Sequence, residues 1–182
     1  MPQPLTVHPL TPCAADLILR VGAARPQAGR LAVTYALFGP IEQLYLPGLG
    51  EIARADDLWL RTCFEAFVRP EGEEGYIELN FGPSGAWAAY RFSGYRVGMT
   101  LVGEIAPPRI DVLATGALYE LRAAIDLGAH LPVGAAWRLG LSAVIEETSG
   151  VKSYWALAHP PEKPDFHHSR AFVLDLPSPE ST

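Results

Sequence analysis

Lysine is scarce in this chain, and no cluster of basic residues occurs anywhere in it. Lysine is found only at Lys152 and Lys163, and 14 Lys and Arg stand against 20 Asp and Glu, which gives a formal net charge of −6. Nucleic-acid binding depends on a basic surface that neutralises phosphates. We therefore expect no nucleic-acid partner.

Cysteine and long apolar runs are also lacking. Cys13 and Cys63 are far apart and show no CxxC spacing, so reduced structural thiols are expected. No run approaches the length of a membrane span, and the N-terminal segment has no basic region followed by an apolar core. We expect a cytoplasmic protein with no membrane partner.

The remaining composition is typical of one folded domain. Apolar residues make up 49% of the 182 residues, which excludes disorder as a description of the whole chain. We predict a single β-sandwich domain over residues 1–176 and a disordered tail over 177–182.

Short β-like segments separated by Gly- and Pro-rich turns run along the whole chain. They predict roughly ten strands in an all-β fold, an antiparallel β-sandwich or a partly closed barrel. Residues 117–127 also fit a helical stripe, but their strand-like flanks favour a strand. The strand candidates are residues 5–10, 16–21, 30–38, 62–68, 76–81, 86–92, 109–113, 117–127, 137–147, 152–159 and 171–176.

Residues 58–99 place polar groups inside three consecutive strand candidates. Alternation puts Glu65 on one face of its strand, Glu78 with Asn80 on one face of the next, and Trp87 with Arg91 on one face of the third. A register with Glu65 opposite Glu78 and Asn80 opposite Trp87 would gather all five side chains, whereas a slip of one residue would scatter them. The two carboxylates then require an arginine, a cation or a hydroxyl-rich ligand between them. The alternative is a half-exposed polar face with a salt bridge.

The loop at 159–168 is the second polar candidate. In an extended chain Asp165 and His167 point the same way and His168 the other, so at most two of them can share an ion without help from His159. No metal site is predicted, and a loop braced by side-chain to backbone hydrogen bonds is the alternative. A structural calcium ion between loop carboxylates is not readable from spacing.

Several segments together resemble a known group of proteins. LWLRTCFEAFV, GYIELNFGPSGAW, WRLGLSAVIEE, SYWALAH and PDFHHSRAFVLDL are similar to DOMON-like domains related to family 9 carbohydrate-binding modules, over about residues 5–176. The resemblance implies an immunoglobulin-like or jelly-roll-like sandwich that binds a ligand without turnover, commonly a sugar and in some relatives haem. Trp59, Glu65, Glu78 and Asn80 lie on the shared pattern.

These observations predict a non-catalytic module that binds a carbohydrate or a similar hydroxylated small molecule. Aromatic side chains would stack on the sugar, and acidic and amide groups would orient its hydroxyls. The predicted ligand-binding residues are Trp59, Glu65, Glu78, Asn80, Trp87, Arg91, Trp155, His159, Asp165 and His167.

Other functions remain open at this point. An interaction module without a small ligand, including a homodimer, would display an exposed aromatic patch instead of a pocket. Haem binding would depend on Met99 with a histidine, and a glycosidase would use Glu65 and Glu78 as its two carboxylates. We predict no cofactor and no catalytic residues, because no complete constellation is found.

Overall fold

The computed structural model describes residues 1–132 and 134–179 and is built almost entirely of β-strands. Three short 3-10 turns accompany the strands in this part of the chain, at Ile41–Gln43, Leu58–Leu60 and Ser169–Ala171. None of its helical segments is long or apolar enough to cross a membrane. The strands are β1 (Gln3–Val7), β2 (Ile18–Gln27), β3 (Arg30–Phe38), β4 (Ala53–Arg54), β5 (Cys63–Pro70), β6 (Tyr76–Phe81), β7 (Ala86–Phe92), β8 (Thr100–Leu101), β9 (Arg109–Ala114), β10 (Leu118–Asp126), β11 (Trp137–Glu146), β12 (Lys152–Ala156) and β13 (Leu174–Leu176).

The strands form one curled sheet in the order β4-β7-β6-β5-β11-β12-β1-β2-β3-β10-β9, with β13 beside β11 and β8 beside β7. All pairs are antiparallel except β4 with β7. Strand β1 joins two halves of the sheet, because Gln3 to Leu5 pair with β2 while Thr6 and Val7 pair with β12. We call β5, β6, β7, β11 and β12 the β5 half, and β2, β3, β9 and β10 the β3 half.

The two halves enclose a common apolar core. Phe64 of β5 stacks on Tyr119 of β10 with ring centroids 6.0 Å apart, and it also packs on Tyr35 of β3 at 5.1 Å. The Tyr35 hydroxyl donates a 2.6 Å hydrogen bond to the carbonyl oxygen of Glu65. This bond ties β3 across the core to the strand that carries one of the predicted site residues.

The β5 half is buried on both of its faces. Every residue of β6, and every residue of β5 except Arg69, is buried. One face, with Ile77, Leu79 and Phe81 of β6, belongs to the common core. Tyr76 on the opposite face packs in a second cluster with Phe67, Tyr90, Phe92 and other residues. Polar side chains of this second face are therefore removed from bulk water.

The sequence predicted most strands but missed two. The ambiguous segment 117–127 is a strand, as predicted, because it pairs along its length with both β3 and β9. The two-residue strands β4 and β8 were missed because they are too short to show alternation. The structure therefore has more strands than the predicted ten or so. The predicted tail begins at 177, and its residues 180–182 lie outside the described part of the chain.

The turn between β2 and β3 meets the end of β10 so closely that Gly29 has no room for a side chain. A Cβ on Gly29 would lie 2.5 Å from the Gly128 Cα, and the backbone N–H of Leu127 donates to the Gly29 carbonyl at 2.7 Å. Gly29→Ala should therefore lower the free energy of unfolding by about 1–3 kcal/mol. The melting temperature should fall by about 2–4 °C for each kcal/mol.

Gly22→Ala is the matched control. A Cβ at Gly22, within β2, meets no heavy atom within 4 Å. Its melting temperature should stay close to that of the wild type, and equal losses in the two variants would contradict the close approach at Gly29.

Candidate functional site

A cavity of about 390 Å³ lies over the second face of the β5 half, away from the common core. Strand residues form its floor and loop residues form its walls. The floor contains Glu65, Glu78, Phe92, Val144 and Tyr154, and the walls contain Trp59, Arg96, Met99, Pro164, Asp165, Phe166 and His167.

Strand alternation explains why two carboxyl groups lie in the floor. Phe64 and Ala66, the neighbours of Glu65 in β5, point into the common core, so Glu65 must point to the cavity face. The same argument places Glu78 there, between Ile77 and Leu79 of β6. Only 3% of Glu65 and 5% of Glu78 is exposed to solvent, so both acids are almost completely desolvated.

Glu78 belongs to a chain of polar contacts. Asn80 donates from Nδ2 to Glu78 Oε1 at 2.9 Å, and His167 Nε2 lies 3.6 Å from Glu78 Oε2. The other ring nitrogen, Nδ1 of His167, is 2.8 Å from the Tyr76 hydroxyl, which itself accepts a bond from the Arg96 backbone N–H at 3.3 Å. The Tyr76 hydroxyl can then donate to Nδ1, which assigns the ring proton of a neutral His167 to Nε2, facing Glu78.

A second polar group forms the rim of the cavity. The Arg96 guanidinium donates to Asp165 Oδ1 at 2.7 Å, and the Tyr95 hydroxyl donates to Asp165 Oδ2. The backbone N–H of His167 also donates to Asp165, at 3.1 Å. Asp165 is 5% exposed, so this carboxylate fixes the loop at 164–168 against the loop at 93–98.

Burial shifts the protonation of the floor groups strongly. Burial, and next the charge of Glu78, holds the pKa of Glu65 well above its usual range. Burial also raises the pKa of Glu78 to about 7, although the Asn80 hydrogen bond and Arg96 oppose this shift. The two carboxyl groups therefore retain a proton near neutral pH.

The rim groups are shifted in the opposite sense. Burial and then the charge of Arg96 lower the pKa of His167 to about 4, so His167 is neutral at pH 7. Burial acts to raise the pKa of Asp165, but the hydrogen bonds from Tyr95 and Arg96 outweigh it and the pKa is lowered. Asp165 is thus an anion paired with Arg96.

The structure brings together six of the ten predicted site residues. Trp59, Glu65, Glu78, Asp165 and His167 line the cavity. Asn80 lies in the same face of the sheet, directly opposite Glu65 and bonded to Glu78. The predicted loop and the predicted sheet face therefore meet at one site.

The predicted strand register is wrong. Glu65 lies opposite Asn80 instead of Glu78, and Asn80 lies opposite Ala88 instead of Trp87. The shift of one residue in β7 turns Trp87 and Arg91 away from the cavity.

The remaining four predicted residues accordingly lie elsewhere. Trp87 is buried in the common core beneath the Arg54 guanidinium, which is 4.6 Å from its ring. Arg91 bonds the His130 carbonyl at 2.8 Å.

Trp155 and His159 lie outside the cavity lining as well. Trp155 is in the core, and its Nε1 donates to Ser153. His159 packs against His8 with ring centroids 4.9 Å apart, and its Nε2 is 2.8 Å from the Thr6 carbonyl oxygen.

Several lining residues were missed by the sequence analysis. Tyr154 was detectable, because it alternates with Trp155 in β12 and so must point to the opposite face. Arg96, Pro164 and Phe166 come from loops, where no periodicity indicates a direction. Arg96 also has a backbone φ of 56°, in the left-handed region that few non-glycine residues adopt, and no sequence pattern indicates this conformation.

Haem and a metal ion are the two alternative ligand types considered from the sequence. Met99 and His167 both line the cavity, but both ring nitrogens of His167 face protein groups, Tyr76 and Glu78, so no lone pair is free for haem iron. Within residues 1–132 and 134–179, no group of three or more His, Cys, Asp or Glu side chains is arranged to hold a metal ion.

Comparison of the sequence finds no matching family model and no match among the curated proteins. Comparison of the fold does find solved structures. A candidate carbohydrate-binding protein from Bacteroides uniformis is similar with a TM-score of 0.63 and 17% identity, over 97% of this chain and 85% of the other. A family 9 carbohydrate-binding module from Caldicellulosiruptor kristjanssonii in complex with glucose is similar with a TM-score of 0.56 and 11% identity, over 98% and 85%. A family 9 module from the same organism with cellotriose gives 0.50 and 12%, over 95% and 80%.

At these identities the likeness establishes the fold alone. The chain has a curled, nearly all-β fold that resembles the β-sandwich of family 9 carbohydrate-binding modules. This supports the family 9 part of the sequence resemblance, while its DOMON part stays a prediction.

Proposed function

We propose that this protein is a non-catalytic carbohydrate-binding module and that the cavity over the β5 half is its sugar site. The observation that carries the proposal is the lining of this cavity, in which buried hydrogen-bonding groups of the floor face walls that contain the aromatic residues Trp59 and Phe166. Sugars present hydroxyl groups around their edge and C–H groups on their faces, and this lining suits both. The similarity to modules solved with glucose and cellotriose supports the same ligand class.

The position of the carboxyl groups favours binding over hydrolysis. A glycosidase requires two carboxyl groups that flank the scissile bond, one to protonate the leaving oxygen and one to act on the sugar ring. Glu65 and Glu78 instead lie on adjacent strands of one floor, on the diagonal next to the Glu65–Asn80 pair. Both carboxyl groups lie in the same floor of the cavity, where they can hold the hydroxyl groups of a ligand from one side.

Self-association is a second candidate function. The segment 95–101 beside the cavity exposes Tyr95, Val97, Met99 and Leu101, each at least 50% accessible. An apolar edge of this kind can contact a second copy of the chain. Light scattering coupled to size-exclusion chromatography tests this candidate, and a monomer at every concentration would eliminate it.

The aromatic wall of the cavity can be tested through Trp59. Trp59 is half-buried in a 3-10 turn and packs edge-on against Tyr90, with ring centroids 6.1 Å apart, so its ring is held at the cavity. Trp59→Ala should weaken binding of glucose or cellotriose about tenfold, because it removes a stacking surface worth roughly 1 kcal/mol or more. Isothermal titration calorimetry measures this loss.

Phe38→Ala is the matched control, because Phe38 is a 40% exposed aromatic at the end of β3 and does not line the cavity. It should leave sugar affinity unchanged. Affinity that is equal in the wild type and in Trp59→Ala would remove the cavity from consideration as a stacking site.

The burial of Glu78 can be tested without ligand, through the pH dependence of stability. The pKa of Glu78 is raised from 4.5 to about 7 in the folded protein. Between these values the folded state binds more protons than the unfolded state, so this group's contribution to stability is present below pH 4.5 and is lost as the pH rises to about 7. Relative to Glu78→Gln, the wild type should therefore lose about 3 kcal/mol of unfolding free energy across this window.

Urea unfolding at a series of pH values measures the difference. His167, with its pKa lowered to about 4, acts in the opposite direction, but it is present in both proteins and cancels to first order. Glu42→Gln, a change of the same kind at an exposed residue of the first 3-10 turn, should run parallel to the wild type. A constant difference between wild type and Glu78→Gln from pH 4.5 to 7 would show that the Glu78 carboxyl is solvated.

A further inference from the structure

The cavity holds more negative than positive charge. Its lining contains three carboxyl groups, Glu65, Glu78 and Asp165, and one arginine, Arg96. Arg96 is committed to Asp165 by the 2.7 Å bond, and His167 is neutral at pH 7. Among the described residues, the nearest basic side chain to Glu78 is thus an uncharged imidazole, and Glu65 makes no salt bridge. Buried carboxylates without a counter-charge are costly, so this floor is incomplete without a cation or a proton.

Asn80 supplies an independent sign of a missing donor. It is completely buried, its Nδ2 donates to Glu78, and its Oδ1 accepts no hydrogen bond from the described residues. When the Glu78 carboxyl is ionised, the amide keeps this orientation, because a reversed amide would place its oxygen against the carboxylate. Buried polar groups are normally paired, so unpaired ones beside a cavity point to a ligand.

Asn80 and the two floor carboxyl groups are neighbours. Asn80 lies directly across from Glu65, and Glu78 is two residues along the same strand and face as Asn80. Two carboxyl groups and one buried amide therefore share one patch of this sheet face. A primary ammonium presents three N–H donors, a positive charge and no acceptor, which matches these three groups. A sugar hydroxyl fits these groups less well than an ammonium group, because it has one donor and no charge.

We propose that the ligand of this cavity is a sugar that carries a protonated primary amine, with its ammonium group held by Glu65 and Glu78 beside the buried amide of Asn80. This inference rests on the proposed carbohydrate-binding function and specifies the class of sugar. Trp59 and Tyr154 would contact the C–H face of the ring, and an aromatic wall also stabilises a nearby cation.

Binding of an ammonium group should release the proton that the two carboxyl groups retain. The charged and titratable groups around the pair come from both strands and loops. They are Tyr35 on β3, Cys63 on β5, Tyr76 on β6, Tyr90 on β7, Tyr154 on β12, Arg96 in the loop at 93–98, and Asp165 and His167 in the loop at 164–168. Of these, Arg96 is the only fixed cation, and it is paired. The ammonium would replace the retained proton as the counter-charge, so amine binding should weaken as the pH falls below about 7, the pKa of Glu78.

The test compares three sugars of one shape by calorimetry at pH 7: 2-amino-2-deoxyglucose, its N-acetyl derivative and glucose. We expect the amino sugar to bind at least about tenfold more tightly than the other two, the effect of a charge-assisted hydrogen bond of about 1.5 kcal/mol or more. The measured enthalpy of amine binding should also depend on the ionisation enthalpy of the buffer, which reports proton release. Glucose binding should show no such dependence.

Each other result overturns the inference in a different way. Equal affinity for glucose and the amino sugar would refute the ammonium site while leaving the carbohydrate-binding function intact. Absence of binding by all three sugars would refute both proposals. Binding of ethanolamine as tightly as the amino sugar would identify a site for simple cations and refute the sugar component.

Substitutions of the two floor carboxyl groups test whether they cause the preference for the amino sugar. Glu65→Gln and Glu78→Gln should each reduce the ratio of amino-sugar to glucose affinity about tenfold, because each removes a negative charge while keeping the shape of the side chain. Glu42→Gln makes the same change in net charge at an exposed residue and should keep the wild-type ratio. Unliganded melting temperatures that match or exceed the wild type would establish that the Gln variants are folded. A wild-type ratio in both folded Gln variants would contradict the proposal.

Discussion

The burial of both faces of strands β5 and β6 is the constraint on which the rest of this structure depends. In a strand, successive side chains point to opposite faces, so each residue of the β5 half belongs either to the common core or to the cavity face. Phe64 and Ala66 fill the core, and Glu65 between them has no position except the cavity floor. The hydrogen bond from Tyr35 to the Glu65 carbonyl fixes this arrangement from the opposite half of the sheet.

A floor that is buried before any ligand arrives has a cost in stability. Glu65, Glu78 and Asn80 are desolvated by the second apolar cluster and by the loops at 93–98 and 164–168, so their polar atoms depend on one another. A core of apolar side chains would be more stable at the same positions. Side chains that are held in place before a ligand binds lose little conformational freedom on binding. Part of the cost in stability is therefore recovered as ligand affinity.

The sequence predicted the floor better than the walls, and the reason is physical. Alternation correctly separated Glu65 from its neighbours in β5 and grouped Glu78 with Asn80 in β6, because period-two patterns are local. The register between strands depends on turn geometry, and the turn at 82–85 closes with Gly85 donating to Gly82 and Gly82 donating to Ala86. Assuming a different closure moved Trp87 to the wrong face, since a slip of one residue reverses every side chain of a strand.

The tryptophans on strands also show that alternation alone does not tell which face of a strand lies in the core. Trp87 and Trp155 lie on strands and point into the common core, where large apolar side chains give the most stabilisation.

Trp59 lies in the 3-10 turn Leu58–Leu60, where strand alternation does not apply and its direction is set by contacts with β7. Its place at the cavity follows from the turn that ends just before β5, which leaves the side chain beside the face that carries Glu65. The two carboxyl groups of the floor are therefore fixed by strands, whereas the walls of the cavity come from turns and loops. A change in the loops can reshape the walls without disturbing the charge of the floor, so ligand size and ligand charge are set by separate parts of the chain.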